Sequence, residues 1–230
     1  GLCSNSSTIA RVRAIKRSLI QNWYKQKKEN NSAMSYSDFT LAKVIKEFGL
    51  TVTDNFRMYS DTPEVNPSDF LVQTIEQNMP LAIASNTEKA RSEMIISPIL
   101  IEFRKLQNNQ ISLFSGIDFT VDNKRGLNGN CDFIISRSPE LLILSSPIII
   151  IVEAKKENIN GGLGQCVAEM LAARIFNERE GNPISTIYGT VTSGTNWRFL
   201  ELAENNINID LDEYYLSDVK KILGILTSSI

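Results

Sequence analysis

Apolar residues recur at helical spacing through the first hundred residues, then give way to alternating and β-branched runs. Ile9, Val12, Ile15, Leu19, Ile20 and Trp23 predict a helix over 8–29. The polar stretch 25–36 reads as a loop. A second helical stretch, 38–48, stops at Gly49. Residues 50–67, with Pro63 and Pro67, read as a connector. Ser68 is placed to cap a short helix through Met79. A longer helix is predicted from near Thr87, with Ala90, Met94, Ser97 and Ile101 on one face. Pro98 should kink or split it.

Beyond residue 110 the texture is that of strands. Residues 111–121 form the first, and Gly126, Asn128 and Gly129 supply turn chemistry before a second over 131–136. Residues 137–147 link it to a third, 148–154, whose unbroken run of Ile and Val predicts burial on both faces. Gly161, Gly162 and Gly164 read as a flexible loop, the alternative being close approach of a phosphate backbone. An amphipathic helix follows, with Leu163, Cys166, Val167, Met170 and Leu171 inward. Strands over 185–192 and 197–202 flank a turn at 193–196. Ser217 is placed to cap a last helix over 218–226. The order predicts an α/β domain over 87–230, with a helical N-terminal extension over 1–86 packing on it.

Composition changes this picture in three ways. First, the chain of 230 residues contains no histidine. That excludes Ser-His-Asp and Cys-His catalysis and His-ligated zinc. Hydrolytic chemistry must then rest on carboxylates, lysine and a hard metal ion. Second, the net charge of −2 hides an asymmetry. Residues 1–30 hold seven basic side chains against Glu29 alone, among them Arg11, Arg13, Lys16 and Arg17. Such an arm either reaches for phosphates or is a solvated helix face. Third, Cys3, Cys131 and Cys166 lack any pairing pattern, which fits a reducing cytoplasm. The longest apolar run is too short to cross a membrane, and no secretory leader is expected at the N-terminus.

Three D/E-x-K triplets occur, at Asp122, Glu153 and Asp218, so the triplet alone carries little weight. Context separates them. Asp122 lies beside a turn and Asp218 begins a surface helix. Glu153 stands at the end of a core strand, where a carboxylate and a lysine are costly unless paired or bound to metal. Alternation puts Glu153 and Lys155 on one face and Ala154 on the other. Asp132 opens the preceding strand, so pairing of the two strands would let Asp132 and Glu153 converge on one ion. Mg²⁺ takes about six oxygen ligands, typically one or two carboxylates with waters and substrate phosphate.

Asp132 followed by Glu153-Ala154-Lys155 on consecutive strands resembles the PD-(D/E)XK nuclease superfamily. The segment 189–199, with Ser193-Gly194 and Trp197-Arg198-Phe199, resembles type I restriction-subunit-like members. The resemblance spans residues 87–202, and it departs at Cys131, where the pattern has proline. It implies a restriction-endonuclease-like core: a central mixed β-sheet flanked by helices. It implies a Mg²⁺-dependent deoxyribonuclease, with Mn²⁺ able to substitute, acting in restriction, repair or mobile-element processing. Asp132, Glu153 and the Ala154 carbonyl would bind the ion and Lys155 would assist the attacking water. Glu93 is the candidate for an acid on the preceding helix, acting directly or through water. Gln165 is the candidate for the glutamine on the following helix, with Glu169 one turn further on. Lys156 and the basic arm would contact DNA, and a homodimer would serve cleavage of both strands. The alternative is an inactive module of the same fold that binds nucleic acid or a partner protein. Each residue also has a plainer role: a strand-end ion pair for Glu153 and Lys155, a turn residue for Asp132, an exposed acid pairing with Lys89 or Arg91 for Glu93, and a first-turn polar residue for Gln165.

Overall fold

A computed structural model describes residues 15–21 and 34–230. Residues 15–21 are helical, with their side chains exposed. Eight strands form one mixed sheet: β1 (Thr51–Thr53), β2 (Ser112–Asp118), β3 (Asn130–Ser136), β4 (Ile148–Ala154), β5 (Thr186–Thr192), β6 (Asn196–Ala203), β7 (Asn206–Ile209) and β8 (Tyr214–Tyr215). Their spatial order is β1-β7-β6-β5-β4-β3-β2, with β8 on β6. The pairs β4/β5 and β1/β7 are parallel and the rest antiparallel. All seven residues of β4 are buried, as its continuous apolar run requires of a central strand covered on both faces.

Helices cover both faces. On one lie α1 (Leu41–Phe48) and the long α5 (Ile159–Arg179), packed on Ile134, Ile151, Val191 and Leu200. On the other lie α2 (Asp69–Ser85), α4 (Ser97–Leu106) and α6 (Val219–Ser228), packed on Phe133, Val152, Trp197 and Phe199. The short α3 (Glu88–Arg91) precedes α4 and is capped by Thr87, which accepts from Ala90 N–H at 3.1 Å.

Local chemistry explains most boundaries. Ser68 caps α2 as its position suggests, but the helix passes through Pro80 and ends at Asn86, whose φ is 48°. Between α3 and α4 the chain makes a π-helical turn, Ser92–Ile96, and Pro98 lies in the first turn of α4. Proline has no N–H to offer the Met94 carbonyl four residues back. The Asn78 side chain on α2 donates to that carbonyl instead, at 3.0 Å.

Three expectations change. The segment 50–67 is not wholly connector: β1 pairs with β7, and Tyr36, Phe39 and Val44 join the core, so part of the expected extension is built into the sheet. Ser217 does not cap the last helix. It lies in a 3₁₀ turn, Leu216–Asp218, and Asp218 holds the N-cap position without a side-chain bond. Gly161, Gly162 and Gly164 form the first turns of α5 rather than a loop. A Cβ on Gly164 would stand 2.3 Å from the Thr40 carbonyl carbon, so this glycine lets α1 and α5 meet backbone to side.

The far end of α5 is tied to β4 by Asn177. Its Oδ1 accepts from Ile148 N–H at 2.7 Å and its Nδ2 donates to Ile148 C=O at 2.8 Å, all buried. Replacing Asn177 by Leu strands two buried backbone groups at about 1–3 kcal/mol each. Urea denaturation of Asn177→Leu should therefore show a loss of roughly 2–6 kcal/mol. A loss within about 0.5 kcal/mol would mean that water replaces the amide there.

Candidate active site

The functional candidates gather where β3 and β4 part. The β3/β4 ladder runs through Phe133↔Val152 and goes no further. Cys131 belongs to the core on the α5 face and Phe133 to the core on the opposite face. Residues two apart on a regular strand share a face, so the alternation breaks at Asp132. Gly116, which lies across from Asp132 on β2 between two regular pairs, has φ 64°. Asp132 turns into the gap and its Oδ2 accepts the Ala154 N–H at 2.8 Å. A carboxylate thus continues the ladder where the partner strand has left it. In an extended strand the N–H and C=O of one residue point to the same edge, so the Ala154 carbonyl also faces the Asp132 side.

Glu153 points toward α5 and is 1% exposed. Lys155 Nζ lies 2.6 Å from its Oε1. The same ammonium donates to Gln165 Oε1 at 3.2 Å, and Gln165 Nε2 donates to Glu169 Oε1 at 3.0 Å. Glu169 is fully buried, with the Cys131 thiol beside it. Glu153 Oε2 and Glu169 Oε2 are buried without any hydrogen-bond partner. The stem of Lys155 crosses Gly162, where a Cβ would meet Lys155 Cε at 3.0 Å and Val191 Cγ1 at 2.7 Å. Only glycine leaves room there for the lysine to reach Glu153.

The electrostatics follow from this placement. Burial, then the Glu169 and Asp132 carboxylates, push the Glu153 carboxyl up to about 10, against the pull of Lys155. Burial pushes Glu169 up to about 8; its bond from Gln165 opposes this and Asp132 adds to it. Burial alone would lower Lys155, but Glu153 outweighs it and the net shift is upward. Glu153 and Glu169 share one ammonium in a space with little water. They must hold protons or be answered by added positive charge.

Beside Asp132 lies an open cleft of about 220 Å³, lined by Glu88, Lys89, Ser92, Glu93, Ser115, Gly116 and Asp132 itself; Glu153 and Lys155 are not on its wall. Glu93 lines it from the π-helical turn and pairs with Lys89 at 3.0 Å, with over half its side chain exposed. Glu88 also acts on Lys155 through its charge. Lys156 is exposed at the end of β4. Lys16 and Arg17 are helical and exposed, whereas Arg11 and Arg13 lie outside the described residues.

The structure therefore brings Glu153, Lys155 and Gln165 into contact, holds Asp132 at Ala154, and leaves Glu93 across the cleft. Glu169 and Glu88 join the set without a role assigned from sequence. Glu169 had one available signal, an acid four residues after Gln165 on an otherwise inward face. Among the described residues, no three His, Cys, Asp or Glu side chains form a ready-made metal cage. Even so, the donors are all oxygen, as a hard divalent ion prefers, and two buried carboxylate oxygens lack partners. Comparison with family models, with curated proteins and with solved structures finds no match.

A pH dependence follows. Carboxyls whose folded pKa is raised bind protons more tightly in the folded state. Their stabilisation is full below about 4.5 and is lost as pH rises through about 8 and about 10. The raised Lys155 has the same sign, but its contribution is lost only above its ordinary value of 10.5, beyond this range. Protein held in chelator should melt at progressively lower temperature from about pH 6 to about pH 9, and Glu169→Gln should flatten that slope. A melting temperature that climbs over this window would show that the acids are ionised without cost.

Proposed function

We propose that this chain is a Mg²⁺-dependent nuclease that hydrolyses phosphodiester bonds of DNA on a restriction-endonuclease-like core. The observation that carries the reading is Glu153: a buried carboxylate, paired with Lys155 at 2.6 Å, whose second oxygen has no partner. A core rarely keeps such a group unless something binds it.

Glu153, Asp132 and the Ala154 carbonyl would hold the ion. Glu93 faces the cleft from the opposite wall and would reach it through water. When bound, Mg²⁺ lowers the pKa of a water and polarises the scissile phosphate, and Mn²⁺ would substitute. Lys155 holds an ammonium 2.6 Å from Glu153, where it would orient the attacking water and offset charge developing on phosphorus. Gln165 fixes the second direction of that ammonium. The cleft is open over Gly116, where a Cβ would meet nothing within 4 Å, and this leaves room for a nucleic-acid backbone. Lys156, with Lys16, Arg17 and the basic arm, would supply phosphate contacts whose strength falls with salt. A homodimer would place two such clefts on opposite strands.

A second reading has its own observation. Asp132 spends an oxygen on Ala154 N–H, and no ready-made cage is present among the described residues. That favours an inactive module of the same fold binding nucleic acid or a partner protein.

Cleavage of plasmid and oligonucleotide DNA with Mg²⁺ or Mn²⁺ separates the two. Asp132→Ala, Glu153→Ala and Lys155→Ala should each lower the rate by about 10²-fold or more, since the lost charge stabilisation is worth several kcal/mol. Each variant should retain its far-ultraviolet circular dichroism. If the wild-type protein binds DNA without cutting it, or all three variants cut normally, the nuclease assignment is wrong.

A further inference from the structure

The geometry assigns Glu169 as a positioning residue: its carboxylate fixes the Gln165 side-chain amide, which in turn holds the Lys155 ammonium in place. Its consequence for turnover rests on the nuclease reading; its consequence for Lys155 does not.

A glutamine amide has two faces of nearly equal shape, an oxygen that accepts and a nitrogen that donates. Which one meets Lys155 decides whether the contact attracts or repels. An ammonium only donates, so the productive orientation presents Oε1 to Lys155. The structure has that orientation, with Lys155 Nζ donating to Gln165 Oε1 at 3.2 Å. The far side of the amide selects it. Gln165 Nε2 donates at 3.0 Å to Glu169 Oε1, an acceptor one helical turn along α5. A flipped amide would turn its NH₂ against the ammonium and lose the Lys155 bond, together with the bond that Gln165 Nε2 now gives to Glu169 Oε1, an oxygen that accepts whether or not the carboxyl holds a proton on its other oxygen. Glu169 cannot turn away, because it is fully buried within the core on that face.

The link is directional. It runs from partly buried Lys155, through partly buried Gln165, to Glu169 and the Cys131 thiol in the interior. Gly162 completes it from the side by leaving a groove for the lysine stem. The Lys155 ammonium is thus held by two contacts, Glu153 Oε1 and the Gln165 amide oxygen. The second exists in its attractive form only while Glu169 accepts from Gln165. Glutamine in place of Glu169 still offers an oxygen to Gln165; leucine, of similar size, does not.

The test compares wild type, Glu169→Leu, Glu169→Gln and Gln165→Leu in two measurements. The first is steady-state cleavage of a DNA oligonucleotide with Mg²⁺. The second is the rate at which Lys155 reacts with an amine-acylating reagent, read by mass spectrometry against the other lysines. Glu169→Leu should lower kcat about tenfold or more while KM changes little, as expected for a group acting through another. Its Lys155 should label roughly fivefold faster, the equilibrium worth of one ordinary hydrogen bond. Gln165→Leu breaks the link at its middle and should give the same increase even if Glu169→Leu folds poorly. Glu169→Gln should recover most of both effects. Unchanged Lys155 labelling in Glu169→Leu and Gln165→Leu overturns the assignment. So does a Glu169→Gln variant as impaired as Glu169→Leu, which would make the charge rather than the hydrogen bond the operative property. If wild type cuts nothing, the nuclease reading fails, and the labelling measurement alone decides the positioning role.

Discussion

A carboxylate at the end of a fully buried strand is the constraint around which this molecule is organised. Glu153 follows five apolar residues of β4, and no residue of that strand reaches solvent. Removing a carboxylate from water costs several kcal/mol unless its charge is matched. Lys155 matches it in part, and Gly162 exists as glycine so that the lysine can reach. Gln165 and Glu169 then hold the lysine from α5, and Asn177 ties the other end of that helix to the start of β4. The sheet, the long helix and the site are in this sense one structure.

The parting of β3 from β4 is the second half of the arrangement. Two strands that paired to their ends would bury every backbone group between them and leave no donor or acceptor for a ligand. Here the ladder stops two pairs short of the end of β4, and Asp132 takes over a hydrogen bond that a backbone would otherwise make. That choice both holds the gap open and commits one carboxylate oxygen. The cleft outside it is walled by Glu88 and Glu93 from α3 and the π-helical turn, whose shape follows from Pro98 and the Asn78 bond to Met94 C=O.

Much of this was legible in the residues. The run Ile148 to Val152 marked the central strand, because only a strand covered on both faces tolerates such a sequence. The same run singled out Glu153 among three D/E-x-K triplets. The helix cap at Ser68, the helix start near Thr87 and the break at Pro98 are local chemistry and were readable as such. What escaped depends on contacts between distant segments. β1 is three residues long and exists only because β7 lies beside it. Gly162 and Gly164 look like loop glycines until Lys155 and Thr40 are brought against them. Glu169 gains a place in the site only once α5 packs on β4, and the diversion of Asp132 to Ala154 N–H depends on the broken alternation of β3. The basic arm is a feature of sequence whose first arginines lie outside the described residues.

Whether the buried acids answer a divalent ion decides what the site does. Calorimetric titration of Mg²⁺ and Mn²⁺ into the protein, repeated in buffers of different ionisation enthalpy near pH 7, measures this directly. If Glu153 and its neighbours hold protons in the metal-free state, binding should release about one proton per ion and should be lost in Glu153→Gln. Absence of binding for both ions, or binding that persists unchanged in Glu153→Gln, would contradict it.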